Sequence, residues 1–551
     1  MTATATPTAD GEFRYGCCID AGSSGSRIYL YRWPASKHQR QQQQQQPNDY
    51  YDDENDDDDD IAVPSSSSDR FIKVERKAIF SQERTPGISH ESGLGIQAVQ
   101  ELAALAKAAL PIDVNPEYVP IYLGATAGMR LIDSTSSHEA AATMAKLRRV
   151  LHQSGFLFRD TWARTITGEE EGAYAWLVAN YLKHNGNFPM PTSSAYGALD
   201  LGGASTQISF LVSKDRTTLA TESSTTSTMS SSDHLQQQQF PLRIDHLEYP
   251  IFTQSLLCYG VDQARILYDS KFASDKLPNP CYPSGYQDEL SLISGSSNWE
   301  KCLRTVAKLF DHIPNNSHCG HGKQMRLGGG GSDGYSDGAD GSTSSSHSII
   351  ALPQLPIENH QKFIAMSTFV YTWDYLGLRI GSETDDLNSL NENAQRVCNM
   401  PHTQQVALYE QHMEYKAIAR RTTKPHTQCF NAAFSYHLLS KGYGLPLDKT
   451  PIEIHYEIGG TKVQWALGLM LVEVNKLSSA FHKGINPQYP HLQNEHNRWT
   501  CEICTYYGVL ALVFVILIAL PYRMKRSTSG DILPLVDRNG TDECTSPRKG
   551  K

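Results

Sequence analysis

The stretch DLGGASTQI, Asp200 to Ile208, decides the fold, because an earlier stretch, DAGSSGSRI from Asp20 to Ile28, repeats its plan. An offset of 180 positions aligns Asp20 with Asp200, Gly22 with Gly202, Ser26 with Thr206 and Ile28 with Ile208. Each copy follows an apolar run (Tyr15 to Ile19, Ala195 to Leu199) and precedes an alternating or β-branched one (Arg27 to Tyr31, Gln207 to Val212). That pattern predicts a strand, a tight glycine turn and a second strand. Two copies in register predict two lobes that face each other.

The glycines let backbone N–H groups approach a ligand closely, and successive N–H groups in such a turn make a concavity for an anion, phosphate above all. A carboxylate opening each turn would repel phosphate unless a cation lay between them. The pair Asp20 and Asp200 therefore implies a divalent metal held by oxygen ligands or through its waters. One D-x-G turn alone is compatible with an ordinary hairpin; the duplication is what points to chemistry.

Working outward, Ile166 to Leu182 reads ITGEEEGAYAWLVANYL, three consecutive glutamates followed by apolar residues at helical spacing through Tyr174, Leu177, Val178 and Tyr181. Acidic residues at a helix start are favoured by the dipole, which is the bland reading. The functional reading is that one glutamate points into the cleft as the base that orients and deprotonates water. Phe71 to Ile79 is strand-like, and Gly93 to Leu110 is an amphipathic helix ending before Pro111. Val119 to Leu123 reads as a buried strand running into a turn with Thr126. Helical stretches follow around Asp262 to Tyr268, Phe363 to Leu378 and Phe430 to Leu439, with a late strand at Ile452 to Tyr456. Alternating strands and helices define an α/β architecture.

The chain of 551 residues is long enough for two or three domains. Its net charge of −10 comes largely from the acidic tract between Asp52 and Asp60. No basic, aromatic-interleaved face is present, so no nucleic-acid binding is expected. Eleven cysteines without paired zinc-type motifs point to disulfides in an oxidising compartment. Residues 37–69, 213–239 and 328–346 are rich in Gln, Asp, Ser, Thr or Gly and are expected to be disordered surface insertions. The N-terminus has neither a basic nor an apolar segment of a signal peptide. Tyr506 to Leu520 is apolar apart from Gly508, and with its flanks predicts a single transmembrane helix over 503–522 that contacts the lipid bilayer. Arg523, Lys525 and Arg526 place the tail 523–551 in the cytosol and the bulk of the chain outside it.

Five blocks together resemble the apyrases, or nucleoside triphosphate diphosphohydrolases: DAGSSGSR at Asp20, GATAGMR at Gly124, GEEEGAYAW at Gly168, DLGGASTQI at Asp200 and VQWALGLML at Val463. The resemblance implies two RNase H-like lobes of the actin type with a cleft active site, and hydrolysis of the terminal phosphate of nucleoside di- and triphosphates with Ca²⁺ or Mg²⁺. By motif, Glu171 resembles the catalytic base, with Ser205 and Gln207 holding the attacking water. Asp20 and Asp200 would bind the metal through waters, with Thr126 and Trp465 nearby. Ser23, Ser24, Gly25, Thr126, Ala127, Gly202, Gly203, Ala204 and Ser205 would form the phosphate loops. Tyr371, in FVYTWD, matches the residue that stacks on the base, whereas the opposing Arg is replaced by Lys424 and another Arg position holds Val261. Family cysteine order implies the pairs Cys258–Cys302, Cys281–Cys319 and Cys398–Cys429. Cys17 and Cys18 are expected to be buried thiols, and Asn315 is a glycosylation sequon.

The expected organisation is a tail over 1–14, lobe I over 15–190, lobe II over 191–475 with its last segment packing back on lobe I, a linker over 476–502, then the membrane helix and tail. A Golgi enzyme with a lumenal catalytic domain is the first expectation, and a plasma-membrane ecto-enzyme the second. A sugar- or acetate-type kinase and a silent nucleotide binder of the same fold stay open at this point. Phosphate release without an acceptor separates them from a hydrolase.

Overall fold

The computed structural model describes residues 13–35, 71–89, 93–212, 239–244, 247–275, 277–287, 293–310, 361–412, 425–449 and 451–482. The expected insertions at 37–69 and 328–346, and that at 213–239 but for its last residue, lie outside them, as do Asn315, Lys424 and the segment 503–522. Among the described residues, no helix is long and apolar enough to cross a membrane.

The first glycine turn joins β1 (Phe13–Ala21) to β2 (Ser26–Pro34), and β3 (Phe80–Arg84), β4 (Ile121–Ala125) and β5 (Ala163–Thr165) complete a sheet of order β3-β2-β1-β4-β5. Strands β2 and β3 are antiparallel to their neighbours, while β4 and β5 run parallel. The second turn joins β6 (Gly197–Leu201) to β7 (Ser205–Leu211). With β8 (Gln239–Ile244), β9 (Leu247–Leu257), β10 (Phe363–Ser367) and β11 (Ile452–Ile454), they form a sheet of order β11-β10-β6-β7-β9-β8. Placing β6 on β1 reproduces the whole arrangement: β7 and β9 correspond to the antiparallel β2 and β3, and β10 and β11 to the parallel β4 and β5. Strand β8 is an addition at one edge. The duplication read from nine residues thus extends over five strands of each lobe. A small hairpin, β12 (Glu457–Ile458) and β13 (Thr461–Lys462), follows β11.

Helices α1 (Leu94–Ala108), α2 (Ala127–Thr135), α3 (Ser137–His152) and α4 (Gly168–Lys183) come from the first half. The chain after β9 supplies α5 (Val261–Asp275), α6 (Trp299–Ala307), α7 (Thr368–Tyr375), α8 (Leu387–Cys398), α9 (His402–His412), α10 (Gln428–His437) and α11 (Trp465–His482). The central strands, β4 and β6 above all, are buried on both faces, and their side chains alternate with period two between cores. Cys17, Ile19 and Leu30 face the core of α1 and α3, while Cys18, Tyr31 and Trp33 face a middle core. In the second sheet Ala198, Ile364 and Met366 face that middle core, and Leu199, Leu201 and Phe363 face the core of α5 to α10.

The middle core is built from α4 and α11, which cross so closely that a Cβ on Gly468 would lie 2.4 Å from the Tyr174 carbonyl oxygen. Helix α4, grouped with lobe I in the sequence, packs on β6, β7 and β9. Being enclosed by both sheets explains why it is buried on every side from Glu171 to Leu182. Asn180, fully buried there, is satisfied: its amide donates to Trp176 and Tyr196 and accepts from the Tyr196 N–H. The C-terminal helix α11 packs back on lobe I, with Asn475 bonded to both backbone groups of Ile72 and Met470 against Gly16.

Three expectations need correction. Phe71 to Ile79 is not a strand; only single bonds from Glu75 and Ile79 reach β2, and the regular pairing begins at Phe80. Its buried apolar positions, Phe71 and Val74, are three apart rather than two, which a pleated strand cannot bury on one face. The stretch Phe363 to Leu378 is a buried strand followed by a helix, since a short apolar run has no periodicity to tell the two apart. Third, Cys281 pairs with Cys302, so neither Cys258–Cys302 nor Cys281–Cys319 forms. The reason is local. Asn279 caps the Cys281 N–H at 2.9 Å and the Pro280 carbonyl accepts from Asn298 at 3.0 Å, which ties this turn to the start of α6. Cys258 is also disulfide-bonded. Cys398 is joined to Cys429, linking α8 to α10, and Cys17 and Cys18 are buried free thiols.

Candidate active site

Both glycine turns have one geometry. Asp20 pairs with Arg27 in the β1–β2 register and Asp200 with Gln207 in β6–β7, so each aspartate is the next-to-last residue of its strand, beside the turn. Gly22 N–H donates to the Gly25 carbonyl at 3.0 Å, and Gly202 N–H donates to the Ser205 carbonyl at 3.0 Å. In the second loop the carbonyls are taken up from behind. Gly202 accepts from Val261, Gly203 from Asp262 and Gln263, and Ala204 from Cys258. Such a turn leaves its N–H groups for an anion. The Cys258-Tyr259-Gly260 segment makes this possible, since any Cβ on Gly260 would come within 2.2 Å of the Ala204 nitrogen.

Between the loops lies a cavity of about 340 Å³. Asp20, Asp200, Glu171, Thr126, Ser205 and Trp465 all line it, drawn from both sheets and from α4 and α11. Ser23, Ser24, Ala127, Gly202, Gly203 and Ala204 line it too, as does Tyr371 on α7. Gly25 and Gln207 do not. Gly25 closes the back of its turn, and Gln207 is buried behind Glu171. Gly124 has no side chain because the Trp465 indole occupies that space, 2.6 Å from where a Cβ would be.

Glu171 is brought in by the start of α4. Thr167 caps the helix, its hydroxyl accepting from the Glu170 N–H while the Glu170 carboxylate accepts from the Thr167 N–H. Glu170 also takes two 2.7 Å bonds from Arg164. The second of the three glutamates is therefore structural, and the third turns into the cleft. Glu171 Oε2 accepts from Arg130 at 2.8 Å and from Gln207 Nε2 at 3.2 Å. Arg130 and Gln207 also donate to Ser205 Oγ, at 3.0 and 2.7 Å. Among the described residues Glu171 Oε1 has no donor, which leaves one carboxylate oxygen for a water.

Burial raises the Asp20 carboxyl to about 6 although Arg27 opposes it, and raises Asp200 to about 7 although the Ser367 hydroxyl opposes it; Glu171 adds repulsion to both. Asp200 Oδ1 is buried with no partner. Ser367, a non-glycine residue at φ 63°, holds a strained backbone where β10 meets the cleft. Two desolvated carboxylates with an orphaned oxygen, among hydroxyls and backbone groups, are a donor set for a hard divalent cation. Among the described residues, no cluster of three acidic, His or Cys side chains stands close enough to hold a metal.

Arg130 is the main residue that the sequence reading missed. It ends the GATAGMR block, one turn into α2, and only its spatial meeting with Glu171 shows its place. Arg27, Glu83, Asp262, Arg265 and Lys462 are further charged residues of the cleft wall without an expected role.

Two α/β lobes with duplicated glycine turns and a carboxylate facing the gap between them are an arrangement suited to handling phosphate. The profile of the GDA1/CD39 (nucleoside phosphatase) family matches residues 7–327 and 343–487, and the chain belongs to that family. It is a nucleoside phosphatase. It is 27% identical to ectonucleoside triphosphate diphosphohydrolase 2 of Gallus gallus over 94% of this chain and 93% of that protein. Against the human ectonucleoside triphosphate diphosphohydrolase 2 the identity is 28%, over 83% of this chain and 82% of that one. The crystal structure of nucleoside triphosphate hydrolases from Neospora caninum shares the fold, with a TM-score of 0.51 at 13% identity, covering 87% of this chain and 95% of that one.

Proposed function

We propose that this protein hydrolyses the terminal phosphate of nucleoside di- and triphosphates, with Glu171 as the base that orients and deprotonates the attacking water. The observation that carries the reading is the Glu171 carboxylate: one oxygen is fixed by Arg130 and Gln207, the other has no donor among the described residues, and the residue lines a cleft flanked by Asp20 and Asp200. Transfer of a phosphoryl group to water has a loose transition state, so positioning and charge neutralisation supply most of the rate. Arg130 and Gln207 lock the base and the Ser205 hydroxyl into one network, which fixes the line of attack. The two turns receive phosphate oxygens on their N–H groups. A Ca²⁺ or Mg²⁺ ion, held by Asp20 and Asp200 through waters with Thr126 and Trp465 nearby, would neutralise phosphate charge. Tyr371 and Lys424 receive the base.

Disulfides argue for a compartment outside the cytosol. Our first placement is the Golgi membrane, single-pass through 503–522, with a lumenal catalytic domain that converts the diphosphates left by glycosyl transfer into monophosphates. The relatives named ectonucleoside enzymes favour a second placement at the plasma membrane, facing outward. The test is phosphate release by the full chain in detergent from ATP, ADP, GDP and UDP in H₂¹⁸O, with Ca²⁺, Mg²⁺ or EDTA. Cation-dependent release with one labelled oxygen per phosphate supports the hydrolase, and a GDP/UDP preference the Golgi role. Folded protein that releases no phosphate overturns the proposal.

A further inference from the structure

The β12–β13 hairpin turns at Gly459 and Gly460, both at positive φ (58° and 73°), and so returns Lys462 opposite Glu457 to the wall of the cleft. The neighbouring cation of this wall, Arg27, is already engaged: its Nη2 donates to Glu83 at 2.7 Å and its Nη1 lies 3.6 Å from Asp20. Lys462 is not. Among the described residues its ammonium has no hydrogen bond or ion pair, only the Tyr456 ring at 5.5 Å. Burial and then Arg27 lower its pKa, with Glu83 and Asp20 opposing, so the charge sits in a partly desolvated place beside another cation. A half-buried, unpaired ammonium beside a guanidinium is less costly once an anion joins them.

We propose that Lys462 is a polyphosphate-binding residue, whose ammonium contacts the phosphate chain of the nucleotide and favours the more highly charged triphosphate over the diphosphate. The inference rests on the hydrolase reading above and deepens it. Lys462 lines the same cavity as Asp20 and the two glycine turns, where the phosphate chain would lie. An ammonium is a compact point charge suited to a phosphate oxygen and, unlike a guanidinium, a poor stacking partner for a base. The alternative is a purely structural counter-charge for Asp20 and Glu83.

The experiment compares the full chain with Lys462→Met and Lys462→Arg. It measures kcat and KM for ATP and ADP, thermal stability, and calorimetric binding of pyrophosphate, which needs no turnover. Expected for Lys462→Met is a KM for ATP raised about tenfold and for ADP about threefold, with kcat within about twofold. Pyrophosphate affinity should fall about tenfold, and Lys462→Arg should recover most of each loss. Unchanged KM and pyrophosphate affinity, or a fall in stability with equal effects on both nucleotides, would overturn the proposal. Were the wild-type protein to release no phosphate from any nucleotide, the hydrolase reading would fall, while the pyrophosphate titration would still decide whether Lys462 binds phosphate.

Discussion

Replacing Asp200 by Asn should stabilise the cation-free protein at alkaline pH and remove its response to added cation. The carboxyl of Asp200 is raised by burial from 3.8 to about 7, so the folded state holds its proton where the unfolded chain has lost it. Below pH 4 the group is protonated in both states and adds no cost. As pH rises toward 7 the folded protein loses stability, and above about 7 the full cost applies. At about 1.4 kcal/mol per pH unit, the interval corresponds to about 4 kcal/mol. An isosteric amide removes that cost. For a folded unit of this size, unfolding entropy near 1 kcal/mol per degree converts the gain to a Tm rise of about 4 °C at pH 8 and about 2 °C or less at pH 5, both in EDTA. A divalent cation should do the same for the wild-type protein, strongly at pH 8 and weakly at pH 5, but not for the variant. Differential scanning calorimetry with EDTA or Ca²⁺ at the two pH values reads all of this. Equal cation-induced shifts in both proteins, or an Asp200→Asn Tm in EDTA no higher than wild type at pH 8, would refute the reasoning.

Other substitutions separate positioning from stability. Arg130→Met removes the charged one of the two donors that Glu171 and Ser205 share, leaving only Gln207, and should lower kcat about 100-fold while KM changes about threefold or less. The uncompensated carboxylate should also cost about 3 kcal/mol in denaturant unfolding, with Arg130→Lys intermediate in both assays. Glu170→Ala removes the α4 capping box and the two bonds from Arg164, and should cost about 2 kcal/mol of stability. Because Glu170 does not line the cleft, its kcat should stay within about threefold of wild type, as steady-state kinetics would show.

The parts of this molecule that the sequence reveals are those fixed by local chemistry. Glycine turns after apolar strands, with an aspartate at the same place in both copies, are local patterns, and they carry the duplicated lobes and the Asp20–Asp200 pair. Glu171 was legible only as one of three glutamates until the motif singled it out; the structure shows why, since Glu170 is consumed by the cap and by Arg164. What stayed hidden depends on meetings between distant segments. Arg130 lies 41 residues from Glu171, and its role depends on α2 facing α4. The pairing of Cys281 with Cys302 follows from how Asn279 shapes one turn, which cysteine order does not encode. Gly260 looks like any loop glycine until its contact with Ala204 is seen, and Lys462 like any surface lysine until the hairpin turns it inward.

The central claim is that Glu171 activates water for attack on the terminal phosphate. Single-turnover phosphate release from ADP and ATP with Mg²⁺ or Ca²⁺, by wild type and by Glu171→Gln, tests it most directly, with nucleotide affinity measured in parallel. The account predicts that the variant binds nucleotide within about threefold of wild type and releases phosphate about 1,000-fold more slowly. A folded variant that retains wild-type turnover would contradict it.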